Sequence, residues 1–94
     1  MELKNKQVNY SCTNEDVTLK LQGTVSLNES KRITSFNGSF NIVETGAYAG
    51  EFYYSETEDG KINKSTNNIP AEYIEEACDF LVATANEIKE TVIL

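Results

Sequence analysis

Between residues 17 and 27 the chain alternates without a break. Val17, Leu19, Leu21, Gly23, Val25 and Leu27 fall on one side of an extended strand, and Thr18, Lys20, Gln22, Thr24 and Ser26 fall on the other. Strict period two predicts a strand with one face buried and one in water. Gly23 stands where an apolar side chain is expected, marking a bend, a bulge or a spot where a helix backbone comes close. The same alternation, less regular, flanks this stretch. Residues 7 to 12 put Val8, Tyr10 and Cys12 on one side, and Thr13-Asn14-Glu15-Asp16 reads as a turn. After a hairpin loop at Asn28-Glu29-Ser30-Lys31, residues 32 to 43 place Phe36, Gly38, Phe40 and Ile42 on one face. Ile33 is out of phase with them, so it lies on the other face or follows a bulge. Beyond a turn at Glu44-Thr45-Gly46-Ala47, residues 48 to 56 put Tyr48, Gly50, Phe52 and Tyr54 on one face and Tyr53 on the other. Asp59-Gly60 signals a tight turn. Residues 61 to 66 form a short fifth strand with Ile62 its only large apolar residue, and a polar connection runs to Asn68.

From Pro70 the period changes. Ile74, Cys78, Leu81, Ala85, Ile88 and Val92 recur at steps of four and three, one line along a helix covering about residues 69 to 92. Tyr73, Ala77 and Phe80 widen that line. Glu72, Glu76, Asp79, Asn86, Glu87 and Glu90 occupy the opposite face. Pro70 suits the first turn, where its missing N–H costs nothing. Short connections favour sequential antiparallel pairing. The expected fold is therefore α+β: one domain over residues 1–94, in two layers, an antiparallel meander of four or five strands packed by one C-terminal helix. Leu19, Leu21, Val25, Phe40, Phe52, Leu81 and Ile88 form its predicted core.

Charge adds a second pattern. The formal net charge is −7. Six acids (Glu72, Glu75, Glu76, Asp79, Glu87 and Glu90) and one base follow Pro70, against nine acids and seven bases before it, so the helix holds most of the excess. Glu56, Glu58 and Asp59 add a smaller cluster at a hairpin. Glutamates near a helix start also favour the helix dipole, a structural reason for part of this acidity. A net acidic surface repels nucleic acid and anionic lipid and attracts basic protein surfaces. Direct nucleic-acid or membrane binding is therefore not expected. The first residues, Met1 to Lys6, carry no apolar leader pattern, and no apolar run approaches spanning length, which predicts a cytoplasmic protein.

Candidate chemistry is sparse. With no His, the commonest metal ligand and general base is missing. Cys12 and Cys78, each in phase with an apolar face, read as reduced, mostly buried small hydrophobes. No glycine loop for phosphates, nucleophile motif or metal-ligand spacing occurs, so no enzyme activity, cofactor or metal is expected. Phe36, Phe40, Tyr48, Phe52, Tyr53 and Tyr54 have the residue types of a base-stacking platform but not its setting. Most share the core parity, and Arg32 is the only arginine for a basic groove. The face opposite the helix is rich in Thr, Ser and Asn, and is a candidate surface for binding or self-association.

In size, acidity and lack of catalytic groups, the chain resembles small phage proteins that inhibit bacterial defence systems, such as anti-CRISPR proteins, and bacterial immunity proteins that plug toxins. The resemblance lies in overall character and transfers no residue. It implies an inhibitor whose carboxylates (Glu72, Glu75, Glu76, Asp79, Glu87 and Glu90, helped by Glu56, Glu58 and Asp59) meet a basic surface of a nucleic-acid-handling protein. The competing expectation is an assembly subunit that self-associates, for instance as a homodimer, through a sheet edge or the open polar face.

Overall fold

The computed structural model describes residues 7–92. Five strands, β1 (Gln7–Glu15), β2 (Leu19–Asn28), β3 (Ile33–Ile42), β4 (Tyr48–Glu56) and β5 (Ile62–Asn67), precede a 3-10 turn over Ala71–Tyr73 and helix α1 (Ile74–Thr91). The strands form one antiparallel sheet in the order β1-β2-β3-β4-β5, a meander.

The alternation of β2 sets the core. Leu19, Leu21, Val25 and Leu27 are buried with Ile33, Phe36, Phe40, Phe52 and Tyr54 from the next two strands. They share one cluster with Ala77, Phe80, Leu81, Ala85 and Ile88 of α1. All seven predicted core residues belong to it. Phe52 lies between Phe36 and Phe40, with ring centroids 4.8 and 5.1 Å away in edge-on and tilted contacts that suit aromatic quadrupoles.

Two bulges account for the residues that break phase. Ser26 pairs Ser35 but Leu27 pairs Ile33, so Thr34 is an extra residue and Ile33 turns into the core. Ser39 pairs Glu51 but Asn41 pairs Tyr48, so a second irregularity separates Tyr48 from Phe52. Tyr48 therefore shares the open face with Asn41 and is 55% exposed, where simple alternation places it with Phe52. Gly50 permits this bend, with φ at +108° and its Cα side against Ile69.

Gly23 lies directly across from Gly38. A Cβ on Gly23 would stand 2.1 Å from the Asn37 carbonyl oxygen, and one on Gly38 would stand 2.0 Å from that of Gln22. The close approach is thus between neighbouring strands, not between strand and helix. Backbone in a hydrogen-bonded ladder yields less easily than a side chain. Gly38→Ala is expected to cost about 1–3 kcal/mol of stability, measured by urea unfolding. An unchanged midpoint would show that the ladder gives way freely.

The remaining departures are at element ends. β1 continues through Asn14 and Glu15, expected as a turn, because they pair with Leu21 and Lys20. Val17 falls in the bend that follows and is 88% exposed, not buried. α1 begins at Ile74, later than residue 69, because residues 71–73 take the tighter 3-10 path. Its buried line runs through Ala77, Phe80, Leu81, Thr84, Ala85 and Ile88. Ile74 is 46% exposed, and Cys78 and Val92 are half-buried. The face is turned towards Thr84, whose buried hydroxyl accepts a hydrogen bond from Asn14 Nδ2 at 3.0 Å. That bond offsets the cost of burying a hydroxyl. Among the described residues, no helix is long and apolar enough to cross a membrane.

Candidate functional site

Meander connectivity places the β1–β2 and β3–β4 turns at one end of the sheet and the β2–β3 and β4–β5 turns at the other. At the first end, the flank of α1 beside its buried face meets the end of β1. They enclose a groove of about 800 Å³ lined by Glu15, Asp16, Glu75, Glu76, Asp79 and Glu87, with Asn14, Phe80 and Ala83. Glu75, Asp79 and Glu87 recur at multiples of four along one stripe of α1 and are exposed, whereas Glu76 is half-buried. Glu75 and Glu76 stand in the first turn of α1, where the helix dipole favours negative charge and no side chain caps the end. Asn14 bridges the groove wall, its Nδ2 donating to Glu87 Oε2 at 3.3 Å as well as to Thr84. Asp16 Oδ1 accepts the Val17 N–H at 2.8 Å, which shapes the turn locally.

Among the described residues the ion pairs are Asp59–Lys61 and Glu56–Lys89. None of the six groove carboxylates is paired with a described cation. Nor, among the described residues, does any group of three or more Cys, Asp or Glu side chains form a potential metal site.

The structure does not gather all nine expected site residues. Glu75, Glu76, Asp79 and Glu87 line the groove. Glu72 and Glu90 are exposed on the 3-10 turn and the end of α1 and do not line it. Glu56, Glu58 and Asp59 belong to the opposite end of the sheet, where Glu56 and Glu58 line a separate depression with Lys31, Arg32 and Lys89. Asp59 pairs with Lys61 at 3.4 Å and accepts a hydrogen bond from Thr57, which holds its carboxyl below the ordinary value. Glu15 and Asp16, which join the groove, are hidden from sequence reasoning by the apparent turn. Extending the β1 alternation by two residues puts Asn14 on the helix side with Cys12, the signal that brings the β1 end to α1.

Glu56 has a different role. Its side chain is only 11% exposed. Oε1 accepts the Ile33 N–H at 3.0 Å, and Oε2 accepts from Tyr54 Oη at 3.0 Å and from Lys89 Nζ. Arg32 donates to the Glu56 carbonyl at 2.7 Å. This node ties β3, β4 and the last turn of α1 together. Burial alone would push the Glu56 carboxyl up, but the Lys89, Ile33 and Tyr54 hydrogen bonds and the Lys89 charge together hold it below its ordinary value. Tyr54 is pushed up to about 12 by burial, then by its hydrogen bond to Glu56 and that negative charge. A depressed carboxyl stabilises the fold above its unfolded pKa, and that stability fades as pH falls through the folded value. The destabilisation caused by Glu56→Gln, read from urea unfolding, is therefore expected to be full at pH 7 and to shrink below the ordinary carboxyl value of 4.5. A difference independent of pH would contradict this role.

A second cleft, of about 530 Å³, lies between β1 and α1 and shares Asn14 and Glu87 with the acidic groove. Cys12 is half-buried on its floor, as Cys78 is on α1, so neither thiol is as enclosed as its phase suggests. Burial, and then the nearby Glu87 charge, push the Cys12 thiol up, away from the reactive thiolate. No protein-family model, curated protein or solved structure matches this chain.

Proposed function

We propose that this chain is a small, non-enzymatic, cytoplasmic inhibitor that docks its carboxylate groove onto the basic, nucleic-acid-binding site of a protein partner, in the manner of phage anti-defence or toxin-immunity proteins. One observation carries the reading: Glu15, Asp16, Glu75, Glu76, Asp79 and Glu87 converge on one groove without a described cation among them. Like charges so placed repel one another, and a partner's Lys and Arg side chains would relieve that repulsion. In a two-layer arrangement the sheet serves as the rigid support, and the flank of α1 together with the end of β1 serves as the docking surface.

The test is competition. A partner retained from host lysate at low salt and released at high salt should bind nucleic acid by itself and lose it when this chain is added. A retained partner that keeps its nucleic acid, or retention that ignores salt, overturns the proposal.

An assembly subunit is the second reading, favoured by Tyr48 and Tyr53, 55% and 41% exposed on a face otherwise made of Ser, Thr, Asn, Gln and a few charges. Salt-insensitive self-association, abolished by Tyr53→Lys, would identify it.

A further inference from the structure

The two edges of the sheet are protected unequally. β5 spans six residues and carries Lys64, and a short strand with lysine is a usual device against unwanted pairing. β1 spans nine residues, contains no Lys, Arg or Pro, and pairs with β2 in one unbroken register without a bulge. Among the described residues no strand pairs with its outer edge, which is long and regular, and at its end the Glu15 N–H donates to Asn14 Oδ1 at 3.0 Å. The helix side of that edge opens into the 530 Å³ cleft, with Tyr10 and Cys12 on the floor and Ile88 and Val92 on the wall. The cleft continues past Asn14 and Glu87 into the acidic groove.

We infer that β1 receives an extended segment of a protein partner as a sixth strand, one whose side chains alternate between apolar residues and Lys or Arg. Main-chain hydrogen bonds to the β1 edge supply the pairing. Apolar side chains on the cleft side cover Tyr10, Ile88 and Val92. The basic side chains fall on the other face of the added strand, where those at the far end of β1 meet Glu15, which stands opposite Lys20 on the open face. Charge selects this occupant over a second copy: two chains each of net −7, paired edge to edge, would set their Glu87-lined clefts side by side. The inference rests on the proposed function, and names where and in what conformation the basic partner binds.

The probe is an acetylated, amidated nine-residue peptide of alternating Val and Lys, titrated into the isotope-labelled full chain and followed by amide shifts and amide exchange. Binding should shift the amides of residues 8–15 and slow exchange along β1. The same peptide with every backbone nitrogen methylated keeps its charge but cannot donate, and should bind at least about tenfold more weakly. A Val and Glu peptide should not bind. Equal affinity of the methylated peptide would overturn strand addition and leave the acidic-groove reading standing, since charge alone would then suffice. Shifts centred on β5 or the open face, or no binding of the Val and Lys peptide, would also overturn it. Dimerisation of the chain alone with β1 amides protected, abolished by Ser11→Lys, would give the edge to a second copy instead. The salt-dependent competition described above judges the acidic-groove reading separately in each case.

Discussion

Changing Glu75, Asp79 and Glu87 together to Lys is expected to slow association with the proposed basic partner by about tenfold to a thousandfold at low salt. Each reversal adds two charges, so the three take the net charge from −7 to −1 and invert the sign along the α1 stripe. Single reversals should matter far less, because an exposed pair contributes only about 0–1 kcal/mol. Steering depends on the summed field, and that field fades over a Debye length of about 10 Å at 0.1 M salt. The defect should therefore narrow as salt rises. All three side chains are exposed, so the fold should persist. The most direct structural loss is the Asn14 to Glu87 hydrogen bond, and Asn14 keeps Thr84. Stopped-flow association at two salt concentrations, with circular dichroism on the variant, decides the matter. A folded variant that associates as fast as the parent would reduce the groove to a solubility feature.

Leu81→Ala is expected to cost about 2–5 kcal/mol. The side chain is fully buried in the cluster that α1 shares with the sheet, and the strand residues of that cluster are held by ladder pairing, so the site cannot collapse fully around the hole. Against a total stability of about 5–15 kcal/mol, the loss is large. It should lower the thermal midpoint by at least about 8 °C. Ile74→Ala provides the contrast. Ile74 lies on the same helical line by sequence, yet it is 46% exposed and should cost under about 1 kcal/mol. Equal costs for the two would mean that the helix is rotated to bury Ile74 as deeply as Leu81.

That contrast shows what can be read from the residues alone. Alternation at period two and the shift to helical spacing after Pro70 report burial directly, so the strands, the helix and the seven core residues are legible. Helix phase is set less sharply by composition. A line centred on Ile74 and Cys78 is more apolar than one passing through Thr84, and only the Asn14 partner makes a buried threonine acceptable. Tyr48 departs from its expected face for a related reason: one irregular pairing reverses every parity beyond it, and nothing local to Tyr48 announces it. The acidic groove is half legible. The α1 carboxylates follow from helical spacing, whereas Glu15 and Asp16 come to them through long-range packing. Glu56 looks like one more hairpin acid because its partners Ile33, Tyr54 and Lys89 are scattered along the chain.

The meander has a consequence for the chain as it is made. Each strand bonds only to its neighbours in sequence, so pairing can proceed hairpin by hairpin as residues emerge from the ribosome. The partner for their apolar side comes later: Asn14 waits for Thr84, 70 residues downstream. At a synthesis rate of about 5–20 residues per second, the stretch from β5 to the end of α1 takes roughly one to five seconds. During that interval a nascent sheet would display Leu19, Leu21, Phe36, Phe40 and Phe52 uncovered, a natural substrate for chaperones that hold apolar strands. Slowing translation across the α1 codons should lengthen that hold and raise the aggregated fraction without altering the finished protein.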